Sequence, residues 1–345
     1  MVFYVEVHVT DRLVLAVDAM GGDNAPQCVI EGTALFLKAF QDTDILLFGR
    51  EDALKQPLEA LGALSSRVRL CNAPEEITFH DEPMMAVRRK QNSSLVMGLK
   101  AIKDGQAQGF VSAGSTGAIF IGGMVLLKML RGISRPALGG IFPGIKKPFL
   151  LMDCGANADC QPEYLKQFGL MGSAYMRSVL GVKAPEVALA NIGAEEEKGN
   201  KLYKEAHQLM KAQSAYRFIG NIEAREIPQG DADVVVADGF TGNIILKYTE
   251  GLSRTLFDMI KTEVGSTTRG KIGGLLLKPS FHTIKQRMNP DQYGGAPLLG
   301  VNGAVVKAHG SSGGYAFSKA LEQTRKMVLT GVTQALSEGL NEMNI

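Results

Sequence analysis

The sequence lacks an excess of charge of either sign, a paired-cysteine pattern and any apolar run long enough to span a bilayer. A formal net charge of +2 over 345 residues gives no field that would attract nucleic acid. The 4 cysteines form no CxxC pair and no zinc-like spacing, which favours a reduced, cytosolic protein. The first dozen residues mix charged with apolar side chains, unlike the core of a signal peptide. We therefore expect a cytoplasmic protein whose partners have to be inferred from local motifs.

Nucleotide and hydrolase signatures are also missing. No GxGxxG fingerprint follows a candidate strand, and no GxSxG nucleophile elbow occurs. GSTTRGKI at residues 265–272 is close to the P-loop pattern, but Ile272 stands where the magnesium-binding hydroxyl belongs, and no strand is predicted before it. None of the cysteines is a convincing nucleophile. The sequence therefore does not predict a nucleotide P-loop, a dinucleotide site or a serine hydrolase.

Glycine loops that follow apolar runs are the most informative feature of the chain. The organising example is residues 233–247, which read DVVVADGFTGNIILK. The valines run without alternation, which is typical of a strand buried on both faces of a parallel sheet. A loop through Asp238, Gly239 and Gly242 then starts a helix at the carboxyl edge of that sheet, where free N–H groups favour an anion. Phosphate is the first ligand that this pattern indicates, although an ordinary strand-to-helix turn would use the same glycines.

The same order of strand, loop and helix recurs along the chain. It occurs near residues 13–26, 110–118, 149–162, 187–200 and 303–314. The run FIGN at residues 218–221 precedes the organising stretch, and further strands are predicted at Ile45–Phe48 and Val68–Cys71. This alternation predicts βαβ units and an α/β fold. We expect polar and glycine residues of the loops to bind the substrate. They are Asp18, Gly21, Gly22, Ser112, Gly114, Thr116, Gly117, Asn157, Asn221, Asp238, Gly239, Thr241 and Gly242.

Three adjacent cations stand in the segment DEPMMAVRRKQNSS, residues 81–94. They are Arg88, Arg89 and Lys90, and they lie beside two serines without a long apolar face. A solvated helix end is one interpretation of this segment. The other is an anion clamp or a docking patch for an acidic partner.

Residues 244–288 have a different character and are predicted to form a helical hairpin. Apolar residues in its first half recur at helical spacing, namely Ile245, Leu252, Leu256, Met259 and Ile260. Its second half contains three consecutive leucines and flanking cations, namely Leu275, Leu276, Leu277, Lys271, Lys278, Lys285 and Arg287. Such a hairpin could pack against the body of the protein or a second subunit. An apolar tip bracketed by cations could instead rest on an anionic membrane surface.

Nine motifs occur in an order that is typical of one family. They read VDAMGGDNAP, SAGSTGA, GISRPAL, DCGANAD, NIGAEEEKG, IGNIEAR, DGFTGNIILK, NPDQYGGAPLLG and KAHGSS. Over about residues 13–336 the chain closely resembles the PlsX family, the bacterial acyl-acyl carrier protein:phosphate acyltransferases. Two departures are visible: Ser115 stands where the family usually has asparagine, and the residues before Asp11 resemble an extension.

The resemblance implies a fold, a set of partners and a location. The implied fold is a Rossmann-like αβα sandwich resembling the isocitrate and isopropylmalate dehydrogenases and phosphotransacetylase, in one α/β domain over residues 13–345 with an N-terminal extension at residues 1–12. Members of the family convert acyl carrier protein thioesters and inorganic phosphate into acyl phosphate. A membrane acyltransferase then uses acyl phosphate to acylate glycerol 3-phosphate. The resemblance therefore implies a homodimer in peripheral contact with the membrane, and chemistry that needs no metal or cofactor.

The resemblance also implies which residues act. A phosphate oxygen has to attack a thioester carbonyl, the carbonyl oxygen becomes negatively charged, and a thiolate leaves. Lys198 and Asn243 are the strongest candidates, because lysine can hold phosphate or neutralise charge and an asparagine amide can donate to an oxygen. His309 is the group able to move a proton near neutral pH, or else a purely structural histidine.

Two other functions remain open at this point. A metal- and NAD-dependent decarboxylating dehydrogenase could share the fold, but it would need an aspartate cluster and a dinucleotide site, and neither is visible. A non-catalytic module that binds acyl carrier protein or lipid would account for the cations and the hairpin, but it would leave the glycine loops without a purpose. Only the acyltransferase is expected to consume an acyl carrier protein thioester in a phosphate-dependent reaction.

Overall fold

The computed structural model describes residues 12–287 and 290–342. The chain divides into two compact units: unit 1 comprises residues 1–129 and 294–333, and unit 2 comprises residues 130–293 and 334–345. A single domain over residues 13–345 therefore stays a prediction. The predicted N-terminal extension, residues 1–12, lies outside the described residues apart from Arg12.

The described elements alternate between strands and helices for much of the chain. The strands are β1 (Leu13–Asp18), β2 (Thr43–Gly49), β3 (Val68–Asn72), β4 (Gly109–Ser112), β5 (Ala137–Phe142), β6 (Phe149–Met152), β7 (Glu186–Asn191), β8 (Arg217–Glu223), β9 (Val234–Val236), β10 (Ala296–Leu299) and β11 (Ala304–Lys307). The helices are α1 (Gln27–Ala39), α2 (Glu51–Glu59), α3 (Pro83–Arg89), α4 (Ser94–Lys103), α5 (Thr116–Gly122), α6 (Pro162–Leu180), α7 (Lys201–Ala212), α8 (Gly239–Ser266), α9 (Thr268–Arg287), α10 (Gly314–Leu329) and α11 (Val332–Glu342).

Unit 1 is a sheet covered by helices on both faces. Its strand order is β3-β2-β1-β4-β11-β10, in which all neighbours pair in parallel except β10 and β11. A Cβ built on Gly109 would lie 2.5 Å from the methyl group of Thr324 in α10. The next residue, Phe110, instead lies against Gly98 in α4. Because successive residues of a strand point to opposite faces, α10 and α4 cover opposite faces of the sheet.

Unit 2 repeats this layered arrangement around a second set of strands. Its order is β5-β6-β9-β7-β8, with β6, β9, β7 and β8 parallel and β5 antiparallel to β6. Val234 lies against Gly172 of α6, whereas Val235 belongs to a buried cluster against which Ile245 and Leu246 of α8 pack. The two helices therefore cover opposite faces, and the unalternating valines are buried on both sides, as predicted for Val234–Val236.

The strands predicted from the apolar runs are present in the structure. β5 and β10 were not predicted, and both pair antiparallel with a neighbour. Gly139 and Gly140 in β5 and Pro297 in β10 are poor strand formers, so the local pattern is weak. These two segments become strands because β6 and β11 offer them hydrogen-bonding partners. The simple alternation of parallel βαβ units is therefore interrupted once in each unit.

Helices α8 and α9 follow each other in unit 2 over the segment predicted to form a helical hairpin, and the hairpin stays a prediction. α8 begins at Gly239, earlier than the apolar stripe indicated, and the two helices meet at Thr267. Gly274 of α9 would carry its Cβ 2.5 Å from Val264 of α8, so the helices are in close contact. The P-loop-like segment at residues 265–272 spans this junction and follows a helix rather than a strand. Among the described residues, no helix is long and apolar enough to cross a membrane.

Candidate functional site

Unit 2 gathers most of the predicted site residues at one edge of its sheet. Because β6, β9, β7 and β8 run parallel, the loops that follow them emerge at the same carboxyl edge. Asn157 lies in the loop after β6, Lys198 in the loop after β7, and Asn221 near the end of β8. Asp238 and Asn243 lie where β9 passes into α8. The topology therefore brings together residues that are up to 86 positions apart in the sequence, from 157 to 243.

The start of α8 is capped by Asp238. Its Oδ1 accepts a hydrogen bond from the Thr241 backbone N–H at 2.8 Å, and its Oδ2 accepts one from the Thr241 hydroxyl at 3.0 Å. Gly239 donates its N–H to the Asn157 carbonyl at 2.7 Å, and a Cβ on Gly239 would lie 2.6 Å from that oxygen. A Cβ on Gly242 would overlap the carbonyl oxygen of Asp153. The two glycines thus let the first turn of α8 lie directly on the loop after β6.

That loop is shaped by the buried carboxylate of Asp153. Its oxygens accept hydrogen bonds from the backbone N–H groups of Leu138, Gly155, Ala156 and Asn157, and from the Asn157 amide at 2.8 Å. Burial raises the pKa of Asp153, against the opposite effect of these donors. Asp153 was not among the predicted site residues, although its place as the first residue after a buried strand was a signal. It is fully buried, and its hydrogen bonds position the loop.

The loop that carries Lys198 is held at both ends by asparagines. Asn191 donates from Nδ2 to the Lys198 carbonyl at 3.2 Å, and Asn221 donates from Nδ2 to the Glu195 carbonyl at 2.7 Å. Gly199 closes the loop with φ +93°, a conformation that glycine adopts at little cost. Asn221, which was predicted to bind substrate, therefore has its amide nitrogen engaged by the protein.

Lys198 and Asn243 present their polar ends to solvent. Both residues are exposed, and in the part of the chain that the structure describes neither the Lys198 Nζ nor the Asn243 amide has a hydrogen-bond or ion-pair partner. The parts of these side chains nearest the backbone nonetheless pack closely against glycines. A Cβ added to Gly193 would lie 2.9 Å from Lys198 Cγ, and one added to Gly155 would lie 3.2 Å from Asn243 Cβ. The Lys198 ammonium is thus available to bind an anion, and the Asn243 amide is available to donate a hydrogen bond to a carbonyl oxygen.

In unit 1, a buried carboxylate joins the loops after β1 and β4. Asp18 Oδ2 accepts a hydrogen bond from the Ser112 hydroxyl at 2.7 Å, and Oδ1 accepts one from the Gly21 N–H at 3.2 Å. The Ser112 oxygen accepts one from the Gly114 N–H at 2.9 Å. A Cβ on Gly21 would lie 2.6 Å from the Gly114 nitrogen, and Gly22 has φ +107°. Asp18 and Ser112 thus lie beneath the loops and hold their shape.

Helix α5 begins directly after the second of these loops. The Ser115 hydroxyl caps it by accepting from the Ala118 N–H at 3.4 Å, and asparagine caps helices equally well. The departure from the family pattern at this position therefore preserves the capping function. Thr116 begins the helix, and a Cβ on Gly117 would lie 2.7 Å from the Pro83 ring.

The loop after β11 holds a defined histidine. The Ser311 N–H donates to His309 Nδ1 at 3.3 Å, and the Ser311 hydroxyl lies 2.8 Å from the same nitrogen. Nδ1 is thus the acceptor, and the neutral ring carries its proton on the exposed Nε2 side. Lys307, which was not predicted as a site residue, is buried and donates to the Ala113 carbonyl at 3.2 Å. A lysine at the end of a buried strand was the signal for it.

Three of the four cysteines are in surroundings that disfavour the nucleophilic thiolate. Burial raises the pKa of the Cys28 and Cys154 thiols and raises that of Cys160 to about 12. These three side chains therefore remain thiols at neutral pH, whereas the thiolate is the nucleophile.

The predicted cationic patch divides into two parts. Lys90 donates to Asp81 Oδ2 at 2.7 Å and to the Glu76 carbonyl at 2.8 Å, and its hydrogen bond is the main cause that lowers the pKa of Asp81 to about 2. Arg88 and Arg89 are exposed, and within the described ranges neither guanidinium has an ion-pair partner. Lys90 is therefore committed to holding the loop, which leaves the two arginines for a partner.

Fold and loops together define a mixed α/β protein with anion-compatible loops at the carboxyl edges of mostly parallel sheets. A family model described as fatty acid synthesis protein matches residues 13–335, so the chain belongs to that family. A phosphate acyltransferase of Clostridium tetani is 48% identical over 309 residues, which cover 90% of this chain and 92% of the relative. One of Alkaliphilus oremlandii is 45% identical over 329 residues, covering 95% and 98%. The PlsX-family prediction is confirmed, and the protein is an acyltransferase.

Solved structures show the same fold in more distant proteins. A phosphotransacetylase from Streptococcus pyogenes superposes with a TM-score of 0.63 at 17% identity, covering 92% of this chain and 94% of that one. A branched-chain phosphotransacylase from Enterococcus faecalis gives 0.58 at 15% identity, covering 92% and 99%. The predicted likeness to phosphotransacetylase is thus confirmed for the fold. The likeness to isocitrate and isopropylmalate dehydrogenases stays a prediction.

Proposed function

We propose that this acyltransferase moves a fatty acyl group from acyl carrier protein to inorganic phosphate and so forms acyl phosphate for phospholipid synthesis. The observation that carries the proposal is the pair Lys198 and Asn243, at one edge of the unit 2 sheet. Lys198 stands on a firmly held loop and Asn243 on the first turns of α8, and their polar ends have no partner among the described residues. Family membership supports acyl transfer, and the relatives' name, phosphate acyltransferase, supports phosphate as the acceptor.

The reaction makes one bond and breaks one. A phosphate oxygen attacks the thioester carbonyl carbon, the C=O electrons move onto the carbonyl oxygen, and the tetrahedral intermediate then collapses. Collapse breaks the C–S bond, so the carrier leaves as a thiolate that takes up a proton, and acyl phosphate remains. Positioning of the two reactants contributes up to roughly 7–11 kcal/mol in such reactions. Hydrogen-bond donors aimed at the developing oxyanion stabilise the transition state further, because they do not have to reorient as the charge appears.

In this mechanism the two exposed side chains have different tasks. Lys198 holds the phosphate beside the electrophilic thioester carbonyl carbon and offsets the negative charge that the anion brings there. Asn243 donates its amide N–H to the carbonyl oxygen, and it cannot be drawn into proton exchange. The loops beneath them are held by buried hydrogen bonds, so the two groups need little ordering when substrate binds. The substrate-binding roles of the other loop residues stay predictions.

His309 is proposed separately, as a proton-transfer group on the loops of unit 1. Since Nδ1 accepts from the Ser311 N–H, the neutral ring offers a donor at Nε2. This tautomer suits a hydrogen bond from Nε2–H to a phosphate oxygen or to the departing sulfur, whereas transfer of a proton to the sulfur would require the ring to be protonated at both nitrogens first. A base role would require the Nδ1 contact to be broken first.

One assay separates this function from the two alternatives. The protein is incubated with an acyl carrier protein thioester, with and without inorganic phosphate, and the thioester and acyl phosphate are quantified. Phosphate-dependent loss of thioester with matching acyl phosphate supports the proposal. Reduction of NAD with a 2-hydroxy acid and a divalent metal would support the dehydrogenase. Binding of the thioester without turnover would support the non-catalytic module.

We predict that Arg88 and Arg89 dock the acidic carrier protein. Met84 and Met85 are also exposed on α3, four residues before each arginine, so apolar and cationic groups share its surface. Replacing both arginines with alanine is expected to raise the KM for the acyl carrier protein thioester at low ionic strength, and the difference from wild type should shrink as salt screens the charges. Lys90→Ala serves as the control, because its ammonium is already paired with Asp81. Equal KM values for wild type and the double variant would refute the docking role.

We also propose that the hairpin provides a homodimer contact and a membrane contact. On α8 the apolar stripe is exposed in a single chain, at Leu252, Leu256, Met259 and Ile260. On α9 the exposed fractions of the three leucines are 71%, 76% and 51% for Leu275, Leu276 and Leu277. Unpartnered apolar surface of this kind marks contact sites. The stripe supports a second copy of the chain, and the leucine cluster near Lys271 and Lys278 supports an anionic bilayer and the membrane acyltransferase that would use the product.

Replacing Leu275, Leu276 and Leu277 with serine is expected to abolish co-sedimentation with anionic vesicles. Each leucine inserted into lipid contributes about 1.5–3 kcal/mol at full burial, which is enough for reversible attachment with neighbouring cations. Acyl transfer in solution should be unaffected, because the leucines belong to α9, which carries none of the proposed catalytic or substrate-binding residues. The oligomeric state is measured in parallel by light scattering. Unchanged sedimentation, or a loss of dimer in place of a loss of lipid binding, would contradict the membrane role.

A further inference from the structure

Helix α7 carries two buried polar side chains that the mechanism above does not use. Tyr203 and His207 are four residues apart, so they lie on one face of the helix, one turn from each other. They are only 7% and 2% exposed. A hydroxyl and an imidazole at such depth are normally there to make hydrogen bonds. Each of them reaches an element that carries one of the proposed catalytic residues.

Tyr203 connects the start of α7 to the start of α8. Its hydroxyl donates to Asp238 Oδ2 at 2.7 Å, and its oxygen accepts from the Asp238 backbone N–H at 3.3 Å. Its own backbone N–H donates to Asn200 Oδ1 at 3.1 Å. Asn200 is two residues after Lys198, and Asp238 caps the helix on which Asn243 stands. Burial raises the pKa of Tyr203, so the hydroxyl keeps its proton and remains a donor.

His207 supports the Lys198 loop from below through Asn221. The Asn221 amide nitrogen donates to the Glu195 carbonyl at 2.7 Å, which orients its oxygen toward His207 Nδ1 at 2.9 Å. Nδ1 therefore carries a proton and is the donor. The Glu195 carbonyl also accepts the Lys198 backbone N–H at 3.2 Å. The Nε2 atom of His207 lies 3.9 Å from Glu196, a residue of the same loop.

We propose that Tyr203 and His207 are positioning residues that make α7 a brace between the Lys198 loop and the start of α8. The proposal rests on the proposed function, in which Lys198 and Asn243 act on the same transition state. Such chemistry depends on both groups being in place together, and a misplacement of about 1 Å can cost about 10² in rate. A single helix that is hydrogen-bonded to both elements fixes their relative position without touching substrate.

Tyr203→Phe tests the brace, because it removes only the hydroxyl. We expect kcat to fall at least about tenfold, with the KM values for phosphate and thioester nearly unchanged, since ground-state binding does not require both groups to be aligned. Tyr216→Phe is the matched control. Tyr216 is also buried in unit 2, but its hydroxyl donates to the Lys166 carbonyl at 3.0 Å, on α6, and Tyr216 itself precedes β8. Equal loss of kcat in both variants would mean that Tyr203 is merely structural and would overturn the proposal.

A double-mutant cycle provides the second readout. If the hydroxyl acts by placing Asn243, then Asn243→Ala should slow the Tyr203→Phe enzyme by a much smaller factor than it slows the wild type. Full multiplicativity of the two losses would overturn the brace while leaving the catalytic role of Asn243 intact. If Asn243→Ala were near wild type in the parent protein, both the proposed function of this residue and the brace that depends on it would fail.

His207 is tested by substitution and rescue. His207→Leu removes the donor to Asn221 and is expected to lower kcat at least about tenfold. His207→Asn places an amide N–H near the position of Nδ1 and should recover a large part of that loss. Urea unfolding of each variant separates loss of fold from loss of alignment, because the brace predicts that kcat follows the hydrogen bond and not the stability. Equal kcat for the two variants at similar stability would overturn the role of His207.

Discussion

Replacing Lys198 or Asn243 with alanine is expected to lower kcat by about 10² or more, the scale on which one preorganised donor to developing charge acts. The reason is that each side chain presents a polar end with no partner in the described part of the chain, beside backbone already fixed by buried hydrogen bonds. The fold should be unaffected, since both side chains are exposed. The measurement is kcat at saturating phosphate and acyl carrier protein thioester, with thermal unfolding as a check on the fold.

Lys201→Ala provides the control for the lost charge. This lysine is three residues after Lys198, its side chain is 89% exposed, and its partner Glu205 lies 3.8 Å away on the same helix. A general electrostatic effect on the negatively charged transition state would lower kcat in both lysine variants, whereas a specific role lowers kcat only in Lys198→Ala. Near wild-type kcat in a well-folded Lys198→Ala or Asn243→Ala protein would remove that residue from the mechanism.

Gly242→Ala is expected to cause the largest loss of stability among single substitutions in the site. The added Cβ would overlap the carbonyl oxygen of Asp153, which cannot move without breaking the hydrogen bonds of its loop. Overpacking of this kind costs about 1–3 kcal/mol and occasionally more, and backbone is the least adaptable neighbour. We expect a cost of about 3 kcal/mol in the free energy of unfolding by urea, together with a marked loss of activity as α8 shifts.

Gly251→Ala is the matched control on the same helix. Among the described residues, a Cβ at Gly251 meets no atom within 4 Å beyond its chain neighbours and its own helix backbone, so the substitution should raise the free energy of unfolding by about 0.5–1 kcal/mol through higher helix propensity. Activity in solution should stay at the wild-type level. Similar stability for the two variants would show that the first turn of α8 does not lie against the loop after β6 as described.

Much of the fold could be predicted because each strand, glycine loop and helix start is encoded within about fifteen neighbouring residues. In residues 233–247 the valine run, the Asp238 cap and the glycines are consecutive, and the structure has β9, the cap and α8 there in that order. The same local logic located the loops that follow β1, β4, β6, β7 and β11. The candidate site residues were found with them, since they lie in those loops.

Other features could not be predicted, because they depend on partners far away in the sequence. Lys90 looked equivalent to the two arginines beside it, and only its hydrogen bonds to Asp81 and Glu76 distinguish it. Tyr203 and His207 were not singled out by any pattern in the sequence. Their role depends on the tertiary structure, because α7 is hydrogen-bonded to the loop after β7, to β8 and to the start of α8.

By itself, the sequence determined the α/β character of this protein, the positions of its loops and the family to which it belongs, since apolar runs, glycines and helix caps act over short distances. Tertiary structure alone decided which loops lie at the same edge of a sheet and that β5 and β10 become antiparallel strands. It also decided which polar groups are hydrogen-bonded within the protein. Asp18 and Ser112 are 94 residues apart and hydrogen-bonded at 2.7 Å, whereas Lys198 and Asn243 have no such partner among the described residues. The physical reason is that burial and hydrogen-bond partners are supplied by other helices, strands and loops. A polar residue therefore stabilises a loop where the fold places a partner beside it, and it remains available to a substrate where the fold places none.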